Sequence, residues 1–308
     1  MTWFWLSIVV GIFFAASKIF ARVVIKDEED ALAFTALHSL IAGTILLPLL
    51  IVHQRFPTQA ITWLFFGIMV LLSFLSDWSS FKALQKTEVS LYQIVNQVGL
   101  VVALAGGFLF FAESITTAKI FAIVLITIGV VVALYDHQNI AWDVGIRWTV
   151  FSTVTSVLAS MGSKRSLYDF SEVAFACVEM FTIAILCTTL MRGTAGARVR
   201  RVFQKQTWAI SGSGVLFAAS EVSFFYALSL GEASKVIPLT KTGLVFPLMG
   251  GIFLLGERKH LNKKISEFVN KQNILVNVVD VPALCNFIVP SLFKRGPLSI
   301  SISKSGVS

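Results

Sequence analysis

The sequence predicts an all-α polytopic membrane protein. It reads as two inverted five-helix repeats, the second without its last helix, followed by a short soluble α/β stretch. Three observations carry this reading. Hydrophobic residues make up 56% of the 308 and charged residues only 14%, where a soluble domain carries about 25% charged residues. Mean hydropathy is +0.80. Nine apolar runs reach the roughly 20 residues that a helix needs to cross a hydrocarbon core of ~30 Å. Finally, residues 81–119 match residues 225–263 at 13 of 39 positions with no gap. The shared residues include Phe81-Lys-Ala-Leu84 against Phe225-Tyr-Ala-Leu228, and Gly99-Leu-Val101, Gly106-Gly107 and Glu113 against Gly243-Leu-Val245, Gly250-Gly251 and Glu257. A repeat of this length is an architectural signal.

The spans are predicted at 2–25, 31–52, 60–82, 88–112, 117–135, 147–165, 170–191, 207–230 and 232–256. The first carries Gly11 and Ala15, small residues four apart that permit close helix approach, and Lys18, read as a side chain that snorkels from near a helix end. The second contains His38 and the third Asp77-Trp78. The fourth carries Tyr92-Gln93 and Asn96-Gln97, and the fifth is almost wholly Ile, Val, Ala, Gly and Leu. After the link from Asp136 to Arg147, the sixth repeats Ser17-Lys18 as Ser163-Lys164, and the seventh sets Glu179 against His38. A basic loop from Arg192 to Lys205 leads to the eighth, where Glu221 lies 144 residues after Asp77. The ninth carries Pro238, Lys241 and Pro247, with Lys241 aligned to Gln97. Five helices in the first copy force the second to enter from the opposite side, an inverted pair of the kind that encloses a central site and exposes it alternately.

The second copy is expected to stop early. Residues 261–279, where a tenth span belongs, bring at least six charged or amide side chains that hydrocarbon does not accept. Beyond residue 264 the composition changes to short strands and helices of soluble type. The domains are therefore read as 1–136, 137–264 and 265–308.

A charge at the bilayer centre costs on the order of 2.5–3.5 kcal/mol on insertion scales, so each needs a partner or a wet cavity. Asp77 and Glu221, at matched depths in the two copies, are candidate solute-binding groups or a structural pair. Lys241 lies between two prolines that free backbone carbonyls. Gln93, Asn96 and Gln97 offer amides for a solute or for a neighbouring helix. His38 and Glu179 are candidates for a proton relay, or buried polar residues already satisfied. Cys177, Cys187 and Cys285 have no metal-ligand spacing, and no metal or cofactor is expected. Net charge is +8, but the cations sit in loops and tail, where they suit anionic lipid heads rather than nucleic acid. The expected partners are membrane lipid, a small solute and protons or ions; oligomeric state is open. The expected location is the plasma or inner membrane.

Residues 1–264 resemble the EamA type of the drug/metabolite transporter superfamily. The resemblance rests on Ala83-Leu84 and Ala227-Leu228 before the fourth helix of each half, and on Ala112-Glu113 and Gly256-Glu257 at its end. It implies ten helices in two halves and transport of amino-acid, amine or drug-like metabolites. Residues 265–308 resemble the precorrin-2 dehydrogenase/ferrochelatase family of siroheme synthases, through Asn273-Ile-Leu-Val-Asn-Val-Val-Asp280 and Lys294-Arg-Gly-Pro-Leu298. That resemblance implies a catalytic role for Asp280. The family's glycine-rich nucleotide turn lies upstream, where this chain has apolar runs, so the stretch is expected to be inert by itself. The expected function is small-solute transport by alternating access, proton-coupled through Asp77 and Glu221. The alternatives are a siroheme-biosynthesis enzyme or a non-functional chimera of the two.

Overall fold

In the computed structural model the chain is all-helical over the residues that the structure describes: 2–25, 30–111, 124 and 144–241. All of these lie within one compact unit, Met1–Glu257. The predicted fifth span, most of the ninth, the expected loss of a tenth at 261–279 and the 265–308 stretch fall outside the described residues.

The elements are α1 (Thr2–Ile25), α2 (Ala31–Val52), α3 (Ala60–Lys86), α4 (Val89–Asn96), α5 (Val98–Phe111), α6 (Val144–Ser166), α7 (Glu172–Leu190), α8 (Ala195–Lys205), α9 (Thr207–Leu230) and α10 (Ala233–Lys241). Among the described residues six stretches are long and apolar enough to cross a membrane, namely α1, α2, α3, the α4–α5 stretch Leu91–Phe110, α7 and α9. This is a multi-pass membrane protein. Its outward apolar side chains, such as Ile51, Leu64 and Leu109, are the surface that lipid would cover.

The predicted 147–165 span forms helix α6, whose 23 residues are rich in serine and threonine. Two corrections to the sequence reading concern helices. The run 88–112 is not one continuous helix. It breaks at Gln97, whose amide bonds the Ile94 carbonyl at 3.1 Å while its own carbonyl accepts from Leu100. The basic loop is largely helix: α8 forms after a tight turn in which Arg192 (φ 45°) and Gly193 (φ 78°) both adopt left-handed backbone.

The main packing pairs are α1 with α9, α3 with α6, and α2 with α7. Apolar transfer cannot drive association of helices already in lipid, so small residues and interhelical hydrogen bonds do so. Ser17 Oγ donates to the Ser213 carbonyl at 2.9 Å and Ser213 Oγ returns a bond to the Ser17 carbonyl at 3.0 Å, joining α1 to α9. Ser76 Oγ donates to the Ser152 carbonyl at 3.0 Å, joining α3 to α6. Gly214 lets α9 approach α2 closely, since a Cβ there would lie 2.6 Å from Ile41 Cγ2. Buried Phe34, Phe81, Phe170, Phe175 and Phe225 fill the space between pairs.

Asp30 ties the start of α2 to α8. It caps α2 by accepting from the amides of Leu32 and Ala33 at 3.1 and 3.2 Å, and it pairs with Arg198 Nε. Partial burial pushes its carboxyl up, but the Arg198 hydrogen bond and the two amides outweigh this and hold it below the usual carboxylate range. A depressed carboxylate stabilises the fold above its unfolded pKa of about 3.9. That contribution is lost as pH falls through the lower folded value. Asp30→Ala is therefore expected to cost about 1–2 kcal/mol at neutral pH, most of it from the cap, because a half-exposed pair adds at most about 1 kcal/mol. Thermal midpoints of wild type and variant should converge in acid; a gap unchanged with pH would contradict the assignment.

Candidate functional site

Between the packed pairs lies a cavity of about 110 Å³. Its charged wall residues are Lys18 from α1, Asp77 from α3, Glu179 from α7 and Glu221 from α9. Tyr92 and Asn96, in the turn before the Gln97 break, complete it together with serines of α3, α6 and α9. A helix broken at membrane depth is tolerated where it lines a cavity.

Lys18 is 1% exposed and is among the largest fully buried side chains. Its Nζ donates to Ser80 Oγ at 3.0 Å and lies 4.5 Å from the Phe81 ring centroid and 5.0 Å from that of Phe14. It interacts electrostatically with Asp77 and Glu221. The reading of Lys18 as a snorkelling side chain is thus corrected. Seven residues separate it from the end of α1, and it turns inward to α3 rather than out to water. Lys164, its counterpart in the second copy, is half-buried and donates to the Gly231 carbonyl at 3.0 Å.

Asp77 and Glu221 are half-buried and share the cavity wall. Glu179 is 2% exposed, and its Oε2 is buried with no hydrogen-bond partner among the described residues. Asn96 Oδ1 accepts from Thr153 Oγ1 at 2.9 Å, which fixes the amide against α6.

The other predicted residues lie elsewhere. Gln93 and Gln97 are buried behind the wall, with Gln97 Nε2 donating to the Gln93 carbonyl at 3.4 Å. His38 is separated from the wall by aromatic rings. Its ring centroid lies 4.5 Å from that of Phe217 and 5.4 Å from that of Phe81, its Nε2 lies 3.5 Å from Ser17 Oγ, and its Nδ1 has no partner among the described residues. The Lys241 side chain and Asp280 fall outside the described residues. Among those residues no group of three or more His, Cys, Asp or Glu side chains could hold a metal ion.

A serine stripe had gone unread. Ser73, Ser76 and Ser80 on α3, and Ser152, Ser156, Ser160 and Ser163 on α6, line the cavity. Their three- and four-residue spacings put each set on one helix face. That periodicity, in helices expected to be apolar, was the available signal.

Residues 1–135 match the EamA-like transporter family. A protein of Sinorhizobium sp. described as an uncharacterized transporter in the cobO 3' region is 30% identical over 114 residues, which is 36% of this chain and 77% of that one. The chain belongs to the EamA-like transporter family. In this EamA-like protein residues 250–291 also match a putative NAD(P)-binding family. The siroheme synthase of Ruthia magnifica subsp. Calyptogena magnifica is 31% identical over 106 residues, 34% of this chain and 22% of the enzyme. That of Vesicomyosocius okutanii subsp. Calyptogena okutanii is 54% identical over 46 residues, 15% of this chain and 10% of the enzyme. The EamA-like chain therefore spans about a fifth or less of the length of these siroheme synthases.

Proposed function

We propose that this protein moves a small amine or amino acid through the cavity by alternating access between two inverted halves, with protons coupled to the movement. The observation that carries the proposal is the charge inventory of the wall among the described residues: three carboxylates, Asp77, Glu179 and Glu221, face one ammonium, Lys18. Fully ionised, that set leaves two uncompensated negative charges in the membrane interior, each costing several kcal/mol. Protons, or the cationic group of a solute, supply the balance. Size narrows the solute further. Pockets for drug-sized ligands run to about 300–1,000 Å³, so a cavity of about 110 Å³ favours an amine or amino acid over a drug-like molecule.

Packing supports the inverted pair. The repeat equates α1 with α6, α2 with α7 and α3 with α9. Exchanging partners turns the α1–α9 contact into α6–α3 and leaves α2–α7 unchanged, and these are the three main pairings. The hydrogen bonds follow the same exchange. Ser76 donates to Ser152 across α3–α6, and Ser220, 144 residues later, donates to the Val10 carbonyl across α9–α1 at 3.3 Å. Two similar halves around one site are what alternating access by rocking requires.

The test is solute-driven proton movement in proteoliposomes loaded with a pH-sensitive dye. A panel of amines and amino acids is expected to drive flux that empty vesicles lack. If folded protein gives no solute-dependent flux across the panel, the proposal fails.

The siroheme-synthase likeness favours a second reading, NAD-dependent oxidation of precorrin-2. We infer that this chain does not catalyse it. A dinucleotide needs a glycine-rich turn opening a helix so that backbone amides reach the pyrophosphate. The Gly212-x-Gly214 pair instead lies inside α9, where Gly214 packs on Ile41 and the His38 carbonyl. Titration with NAD⁺ is expected to give no saturable binding; saturable binding with precorrin-2 oxidation would reverse the inference.

A further inference from the structure

We infer that the cavity selects a small cation rich in N–H groups and free of carboxylate, a protonated amine or diamine, and rejects amino acids. This selection rests on the cavity being the solute path, and it narrows the solute from amines and amino acids to amines. What decides it is where the hydroxyl protons of the wall go. A serine hydroxyl has one proton to donate and two lone pairs that accept. Inside a helix that proton can return to a carbonyl three or four residues earlier.

Eight serines line the cavity, and six of them give that proton to a backbone carbonyl. On α3, Ser76 donates to Ser152 and Ser80 to Asp77. On α6, Ser152 donates to Thr149, Ser160 to Ser156 and Ser163 to Ala159. On α9, Ser220 donates across to Val10 of α1. A seventh serine, Ser73, is hydrogen-bonded to Glu179, and the Tyr92 hydroxyl to Ser80 and Ser152. Thr240 of α10 gives its proton to the Ile237 carbonyl. What these hydroxyls leave for a solute is lone pairs.

The carboxylates of Asp77, Glu179 and Glu221 add further acceptors, and Glu179 Oε2 is buried with no partner among the described residues. Donors are few. Among the described lining residues they are the Lys18 ammonium, the Asn96 amide and the Ser156 hydroxyl. Lys18 is already engaged: it donates to Ser80, lies over the Phe14 and Phe81 rings and has Asp77 and Glu221 as electrostatic partners. An amino-acid carboxylate would enter as a further negative charge, stripped of water, with few N–H groups to replace it. A zwitterion also brings no net charge, whereas the described carboxylates of this wall outnumber its ammonium by two. A diamine supplies two positive charges and turns N–H groups towards lone pairs. Specificity of this kind comes from what the wrong solute would leave unpaired.

The experiment is calorimetric titration of the full-length protein in detergent with cadaverine, lysine and lysinamide. Cadaverine is lysine without its carboxylate; lysinamide keeps the size of lysine and puts a neutral amide in place of the carboxylate. Cadaverine and lysinamide are expected to bind within a few-fold of each other. Lysine should bind about a hundredfold more weakly, the scale of one buried charge left uncompensated. Glu179→Gln and Glu221→Gln each put N–H groups where the wall had only lone pairs, so either should narrow the gap between lysine and lysinamide. Lysine that binds as tightly as cadaverine overturns the inference, as does cadaverine that does not bind. Lysinamide as weak as lysine also overturns it, because bulk rather than charge is then the reason. So does a gap unchanged in both folded variants, which would place the discrimination outside this wall. Selective binding without flux in proteoliposomes upholds the inference and removes the transport reading; flux driven equally by lysine and cadaverine does the reverse.

Discussion

Asp77→Asn and Glu221→Gln should each lower solute-driven flux by about a hundredfold, with the protein still folded. Each removes one carboxylate from the cavity wall and puts an amide of nearly equal volume in its place, so packing around α3 and α9 is kept. What changes is the charge presented to a cationic solute and the place where a proton could be held. Removing one partner of a desolvated, charge-assisted contact costs about 2–5 kcal/mol, and each 1.4 kcal/mol is a factor of ten. A loss near the middle of that range is a hundredfold or more. If a variant loses only solute affinity, KM rises and maximal flux survives at high solute. If it loses the coupled proton, the dye signal falls further than movement of radiolabelled solute. Glu179→Gln gives a third arm. Glu179 lies on the same wall with an oxygen that has no partner among the described residues, so its variant should also impair flux, whereas His38→Gln, behind the aromatic rings, should leave flux within a few-fold of wild type. If all three acid variants match wild type, the cavity is not the solute path.

The sequence made six of the nine spans legible to within a few residues because apolar runs of membrane length have few other uses. Asp77 and Glu221 were legible because the repeat put them at matched depth, and the structure sets both on one wall. Three things were not legible, each for a physical reason. The break at Gln97 is invisible in composition, since the flanking Ile94, Val95, Val98 and Leu100 suit a continuous helix. It rests on the bonds that Gln97 makes to Ile94 and Leu100. The helical state of Ala195–Lys205 was masked by Gly193, Gly196 and four arginines in residues 192–201. Its order depends on Val202 and Arg198 finding partners in the folded bundle. Lys18 failed for a third reason. A lysine seven residues from a helix end can reach water or can turn inward, and only the arrival of α3 decides between them.

That inward turn makes Lys18→Met the variant with the largest expected effect on stability. Methionine roughly keeps the volume of the lysine stem, so packing against Phe14 and Phe81 changes little. The ammonium is lost, however, and Asp77, Glu179 and Glu221 are left without the one cation that the described residues place on their wall. Breaking a buried charge set from one side costs about 3–5 kcal/mol, because the remaining charges are neither solvated nor compensated. The thermal midpoint in detergent should fall accordingly. A companion variant separates electrostatics from packing. If the loss comes from uncompensated negative charge, adding Asp77→Asn to Lys18→Met should recover part of it, and the double-mutant cycle should show coupling well above the ~0.5 kcal/mol within which independent sites add. Strict additivity would mean that Lys18 serves α1–α3 packing through Ser80 and Phe81 alone. The acidic wall would then need some other source of positive charge, and the case for a cationic solute would rest on Asp77 and Glu221 without their internal counter-ion.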